Sequence, residues 1–542
     1  MSSQVIKKSQ INKKVFLLIF SVFFTILVFS SDAHRYSGDE DWQSIQAIRM
    51  VTLEPHELYV DGESRVRFEY PIAYPLYWQG HVCYNYVLCS PANYAVGLTQ
   101  VPFLFVNHNF NIITEDTVTW TNTDFNDLHY VFWRNSIEPD FTFLQLFYAP
   151  VFLALSYSIF FLICRSFNYE IRTSLILTFL LGLTTPLWAY SQTTLSTVPF
   201  VFIILLVFYF FRRFQKNDSV INLLFCAMSL GFGFLLREEM ALIIIAFFGF
   251  FTYNLIKRRN KKIKKILCFF VPQIMLYSLD KFFFYLVSGS WNSVAVQYGG
   301  GNILAKEIES LTGLGNSALT LEVLLTREFA FLFSPGLGLL CFTPILFTMF
   351  LAFPDFFKKH KPETVLILSI MVLFMVEMGS FGHWHGLVAW AARFLVPIIP
   401  LLLLPLGASI ESRKNQKLMI LIIIIILGGF GFLINLAYIS QDVNWFVWGQ
   451  AGHDLGLYSL GNIQTELYIN DVVIWTFQYS QLTNTITAFF TGFYPDIFLL
   501  KLMCPGIFAA TIFSLLLGQG YLLYRILNRY KVAKPESTSR IS

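Results

Sequence analysis

Three acids stand close together near the start of the chain, in the run Tyr36-Ser37-Gly38-Asp39-Glu40-Asp41-Trp42. The run follows an apolar stretch, and Gly38 gives its backbone latitude, so the carboxylates are set at a membrane surface. Acid–base chemistry is one use for them. Helix capping is another: Ser37 or Asp39 can start a helix over Trp42 to Met50, with acids in its first turn facing the positive end of the dipole. Both readings are compatible. Three cations, Arg237, Arg393 and Lys501, lie at the ends of other apolar stretches. An arginine fork fits phosphate through two parallel hydrogen bonds, yet Lys and Arg at such depths also serve as plain anchors. Glu238 and Glu239 follow Arg237 directly, and either hold it in place or form a second acidic element. His383-Trp384-His385 reads as a metal pair, a phosphate contact or an interfacial anchor; the His spacing is not that of ligands on a helix, which weighs against metal. Asp280 and Lys281 sit inside an apolar stretch, where ionised groups are costly and usually face a cavity. As neighbours in sequence they point different ways on a helix. Tyr70, Tyr74, Tyr77, Trp78, Tyr84 and Tyr86 crowd one polar segment, as sugar-stacking rings or as an aromatic belt at the interface.

The elements that must position these groups are set by composition. The 542 residues are 55% hydrophobic and 13% charged, with 59 Phe. Soluble domains carry about 25% charged residues, so lipid is the main solvent here. The net charge of +4 is modest and its basic residues fall in short runs, which argues against nucleic acid as a partner. None of the seven cysteines shows zinc-site spacing. Five lie in or beside apolar stretches; Cys83 and Cys89 share a polar loop, and an oxidising outer compartment would favour a disulfide between them.

Twelve apolar stretches have lengths near that needed to cross the hydrocarbon core: 15–30, 141–164, 173–190, 197–211, 220–236, 240–256, 266–288, 329–353, 364–380, 394–410, 418–439 and 499–524. The first, behind Lys7, Lys8, Lys13 and Lys14, has the form of a signal peptide with a small-residue site near Ala33; the many stretches that follow favour a retained first span. With the N-terminus inside, 27 of the 38 Lys and Arg fall in the cytoplasmic segments, and every such segment is basic. A missed or extra span would invert this bias downstream, and no inversion occurs. The chain therefore reads as a multi-pass cell-membrane protein with both termini cytoplasmic. Long segments 31–140, 289–328 and 440–498 face outward, whereas the inner loops are short, so any chemistry is extracytoplasmic. Absence of a Walker-type loop, a dinucleotide fingerprint and a Gly-x-Ser-x-Gly elbow argues against ATP-driven transport and serine hydrolysis.

Several runs, taken in order, resemble one family. Ser37-Gly38-Asp39-Glu40 after a first span is similar to the acidic motif of lipid carrier-dependent glycosyltransferases of the GT-C class, whose bacterial members often show Gly-Asp-Glu-Pro-x-Tyr there. Protein O-mannosyltransferases and lipid A aminoarabinose transferases share that architecture. Asp41-Trp42 stands here where the common form has Pro. Leu183 to Tyr190, Gly231 to Arg237, Phe333 to Leu340 with Thr343-Pro344, and Trp384 to Leu395 with Pro400 resemble further segments of the bacterial group. Leu337 replaces its mid-chain Arg. Its second Gly after Trp384 and its Gly-Pro before Arg393 are replaced by Leu387, Ala391 and Ala392. The resemblance covers residues 15 to 410.

The resemblance implies an all-α integral membrane fold of about 12 transmembrane helices, GT-C-like. Residues 1–439 would form the catalytic region, 440–498 an outer loop, 499–524 the last span and 525–542 a cytoplasmic tail. It implies inverting transfer of a sugar from a polyprenyl-phosphate donor to a lipid, glycan or protein acceptor. Asp39 becomes the general base, with Glu40 supporting it. Arg393, Arg237 and Lys501 become candidates for the carrier phosphate, with Arg393 favoured by its motif; His383, Trp384, His385, Glu238 and Glu239 are candidate substrate contacts. Phosphate is a good leaving group and needs no general acid. No cofactor is required, and a divalent metal is left open. One rival is a polytopic transporter or lipid flippase, which inverted repeats would favour; no clear symmetry relates the halves. Another is an O-antigen polymerase or ligase, which would carry key basic residues in a large late loop, and 440–498 has no Arg or Lys.

Overall fold

The computed structural model describes residues 3–33, 94–114, 139–257, 263–288, 320–380, 384–386, 389–412, 417–440, 472–491 and 496–532, with Ser44, Ala47, Val51 and four two-residue strands between 59 and 89. Asp39, Glu40, Cys83 and His383 lie outside the described residues, as does the question of a Cys83–Cys89 disulfide. The chain is a multi-pass, helical membrane protein. Six helices are long and apolar enough to cross a membrane: Gln10–Phe29, Thr142–Ser166, Thr197–Asn217, Lys361–Ser380, Leu418–Ile439 and Pro505–Asn528. Shorter apolar helices cover Ile171–Leu183, Val220–Leu236, Met240–Tyr253 and Val396–Ser412. The 26-residue helix Ile263–Ser288 packs along Val220–Leu236. Among the described residues the strands form two antiparallel pairs, β1 (Tyr59–Val60) with β2 (Val66–Arg67) and β3 (His81–Val82) with β4 (Leu88–Cys89).

Several apolar stretches are not single helices, and prolines stand at or beside the main breaks. The stretch 329–353 divides into α-helix Leu321–Phe333, a turn, a short helix Leu339–Phe342, a 3-10 turn Pro344–Thr348 and helix Met349–Lys359. Pro335 and Pro344 lack the N–H a continuous helix needs. Pro397, Pro400 and Pro405 similarly divide the stretch that begins at Phe394. Helix Ile171–Leu183 stops before Pro186 and gives way to a 3-10 turn, Ala189–Gln192. The first polar loop contributes an apolar helix, Tyr94–Phe110, which packs on Pro139–Ser166.

Inside lipid, helix association depends on close packing rather than on the hydrophobic effect. Phe23 shows how this is met. Its ring lies 4.6 Å from Tyr157 and 5.2 Å from Phe179. A Cβ at Gly182 would sit 2.2 Å from the Phe23 ring, so that position admits the ring only without a side chain.

Many of the long-range polar contacts fall into two sets. One joins Asn12 to Arg165, Tyr169 to Leu404, Arg212 to Glu363, Asp218 to Lys265, and Asp355 to Ser409. Its loops include those rich in Lys and Arg. The other joins Ser30 to Trp188 and Gln192, Ser31 to Phe498, Ser440 to Asp496, and Arg237 to Thr197. The candidate cations belong to this second end.

Candidate functional site

Arg237 closes the helix Val220–Leu236 in an extended conformation (φ −151°, ψ 131°), its N–H still bonded to Gly233 O. A tight turn follows, in which Met240 N donates to Arg237 O at 3.1 Å and Ala241 N to Glu238 O at 2.9 Å. Only three residues separate this helix from the next, Met240–Lys257, which keeps the guanidinium at the helix end. Arg237 Nε donates to both Glu239 carboxylate oxygens at 3.2 Å, and its Nη2 pairs with the same carboxylate. Nη1 donates to Thr197 Oγ1 at 3.0 Å. The guanidinium also lies 5.5 Å from the Phe200 ring and 5.7 Å from the Phe394 ring. Burial pushes the Glu239 carboxyl up, but the charge and hydrogen bonds of Arg237, aided by Arg393, outweigh this and hold it below the usual range.

Arg393 arrives from a different part of the chain. Its guanidinium lies 5.3 Å from the Phe394 ring, so two arginines flank one buried aromatic. The loop that brings it there bends twice. Gly386 has φ +68°, and a Cβ on it would meet Arg393 Cβ and Phe394 Cε2, each at 3.3 Å. Both the conformation and the close approach suit glycine. Ala391 has φ +59°, a left-handed conformation that is strained for any residue with a Cβ. Between the bends, the Trp390 ring lies 4.7 Å from Phe342 and 4.2 Å from Tyr438, and its Nε1 donates to Asn435 Oδ1 at 3.4 Å.

The remaining candidates are placed as follows. Trp384 and His385 are both buried; Trp384 packs edge-on to Phe331 at 5.5 Å, with Arg327 lying 5.5 Å from its ring. Neither stands on an open surface. Glu238 is exposed beside the Arg237–Glu239 pair. Lys501 Nζ is 2.5 Å from Asp496 Oδ1, and Asp496 is buried. Its segment is tied to the end of the first helix, since Phe498 N donates to Ser31 O at 3.0 Å, and to the end of the helix Lys417–Ile439, since Asp496 N donates to Ser440 O at 3.1 Å. Asp32, at the end of the first helix, is also buried. Asp280 and Lys281 approach one another at 3.9 Å despite adjoining positions.

The Ser334-Pro335-Gly336 turn is held by the late segment 472–480. Gly336 N donates to Ile474 O at 3.0 Å, and Ser480 Oγ to Pro335 O at 2.5 Å. A Cβ on Gly336 would lie 2.3 Å from Val473 O, so this motif glycine serves backbone packing. Sequence reading missed Arg327, Asp32 and Tyr190 as members of this end. Tyr190 Oη donates to Trp390 O at 3.0 Å, and both Arg237 and Arg393 lie within electrostatic reach of it. Only Tyr190 lay in a motif that could have marked it. Among the described residues no three His, Cys, Asp or Glu side chains gather as a metal-holding group.

Residues 143–279 match the family model described as dolichyl-phosphate-mannose-protein mannosyltransferase. That segment includes Tyr190, Arg237, Glu238 and Glu239 and stops before Arg393. The resemblance carried by the motifs is therefore met over this segment by a glycosyltransferase family. No curated protein sequence matches the chain. Among solved structures, it is similar to ArnT from Cupriavidus metallidurans bound to undecaprenyl phosphate (10% identity, 95% of this chain and 75% of that chain, TM-score 0.42). ArnT from the same organism in the apo state is similar at 12% identity, over 94% of this chain and 77% of that chain, with a TM-score of 0.40.

Proposed function

We propose that this chain is a membrane glycosyltransferase that moves a sugar from a polyprenyl-phosphate donor to an acceptor at the outer face. The observation that carries the reading is the meeting of Arg237 and Arg393 around Phe394, at the bundle end where the acidic run follows the first helix. A mannosyltransferase family model over 143–279 supports the same reaction class. In the proposed step Asp39 takes the proton of the acceptor hydroxyl while its oxygen attacks the anomeric carbon. The carbon–oxygen bond to the carrier breaks, and the polyprenyl phosphate departs with the electron pair. Inversion follows from the family resemblance.

Arg237 pairs with Glu239 and Lys501 with Asp496, and both are assigned structural support for the site. Arg393 is assigned the carrier phosphate on its motif and its place beside Phe394, where a fork offers two parallel hydrogen bonds. Removing Arg237 would leave the Glu239 carboxylate buried without its cation, a loss of about 3–5 kcal/mol, and would confound any binding measurement. Arg393 is therefore the informative position. The protein in nanodiscs, given a polyprenyl-phosphate sugar, should lose both affinity and turnover in Arg393→Ala and recover only part in Arg393→Lys. Accumulation of a carrier-linked sugar when the protein is removed would identify the donor. Unchanged carrier-linked glycans together with wild-type binding by Arg393→Ala would end this reading.

A further inference from the structure

We infer that Tyr190 is a positioning residue that sets the orientation of Arg393 through the backbone of Trp390. The inference rests on the proposed role of Arg393 and goes beyond it by naming what holds that arginine in place. Tyr190 is buried, 2% exposed, and its hydroxyl donates to Trp390 O at 3.0 Å. It comes from the 3-10 turn Ala189–Gln192, which is itself fixed: Gln192 Nε2 donates to Ser30 O at 3.0 Å and to Ile439 O at 2.9 Å. The hydroxyl is therefore presented from a rigid support that touches both the first helix and the helix Lys417–Ile439.

The bond acts where the Arg393 loop has the most freedom to move. Trp390 is the last residue before the left-handed Ala391, and Arg393 follows two residues later. The Trp390 ring is held by Phe342, Tyr438 and Asn435, which fixes its side chain. Holding the ring does not by itself fix the peptide plane that leads into the bend. Tyr190 fixes that plane by holding its carbonyl. A strained backbone persists only where its surroundings over-determine it, and the Tyr190 bond supplies one such restraint. Without it, the Trp390–Ala391 peptide can rotate to relieve Ala391, and the Arg393 side chain moves with it. The geometry thus assigns Tyr190 an effect on the carrier phosphate without direct contact.

The test uses full-length protein in nanodiscs with undecaprenyl phosphate as the probe, in wild type, Tyr190→Phe, Arg393→Ala and the double variant. Tyr190→Phe removes one hydroxyl and should weaken binding about 3–10-fold, the scale of one net hydrogen bond. The double variant should bind no more weakly than Arg393→Ala alone, because Tyr190 acts only through that arginine. A purely structural hydroxyl would instead give additive losses, or none, and either overturns the inference. Wild-type binding in Tyr190→Phe while Arg393→Ala is impaired also overturns it, with the proposed function intact. Failure of wild type itself to bind the probe counts against the proposed function instead; wild-type binding by Arg393→Ala removes the role assigned to Arg393, and the inference with it. Should Tyr190→Phe fail to fold, Tyr190→4-fluorophenylalanine fills the same space without a donor and should show the same weakening; wild-type binding by it counts against the inference.

Discussion

At the scale of single residues, the proposed chemistry needs a base and a cation, and two substitutions probe them. Asp39→Asn keeps the size and can still cap a helix, yet it cannot take a proton. Transfer should fall about 100-fold or more while carrier binding survives, and a transfer assay on correctly inserted protein measures it. Near-normal transfer would leave Asp39 a cap and sink the mechanism. Ala391 offers the second probe. At φ +59° an alanine costs about 1–2 kcal/mol relative to its ordinary conformation. Ala→Gly at an ordinary helical position instead costs about 0.5–1 kcal/mol. The strain relief wins here, so Ala391→Gly should leave the thermal unfolding midpoint unchanged or raised. The same change should weaken carrier binding by loosening the Arg393 loop. A clear drop in the midpoint would mean that the left-handed alanine is not strained in solution.

At the scale of elements, the junction between helices Met349–Lys359 and Lys361–Ser380 joins packing to titration. His360 forms the junction, with its ring 4.9 Å from Phe167 and 5.0 Å from Phe356. Arg212 lies 4.2 Å from the same Phe167 ring and pairs with Glu363. Burial lowers the His360 pKa below its ordinary value of 6.5; Glu363 opposes this, and Arg212, Lys359 and Lys216 add to it. The folded protein therefore favours the neutral ring. Its stabilising share is complete above the unfolded value near 6.5 and is lost as pH falls through the lower folded value. Between about pH 7.5 and 5.5 the unfolding midpoint of the detergent-solubilised protein should fall, and His360→Gln should flatten that slope. An identical slope in the variant would place the titration elsewhere.

At the scale of the whole molecule, the prediction is topological. Basic runs assign loops 257–265 and 411–417 to the inside and 31–140 and 440–498 to the outside. Single cysteines at Lys261 and Asn462, in a background controlled for native thiols, should label from opposite sides with an impermeant reagent. Labelling of both from one side would remove the twelve-span reading. Membrane class, apolar stretches and the alternation of basic loops were legible in the chain alone. Lipid and the charge asymmetry of insertion act on each segment locally, so local composition records them. Helix breaks were less legible: 329–353 reads as one apolar stretch, and only the prolines and the docking of segment 472–480 on Gly336 show it divided. At the site, the sequence by itself determined which residue types could handle a phosphate and where along the chain they stood. It could not say that Arg237 pairs with Glu239 or Lys501 with Asp496, because either acid could have faced elsewhere. Nor could it bring Arg237 and Arg393 to one ring, or set the Tyr190 hydroxyl on the Trp390 carbonyl. Those pairings join helices remote in sequence, and only tertiary packing decides which loop ends meet.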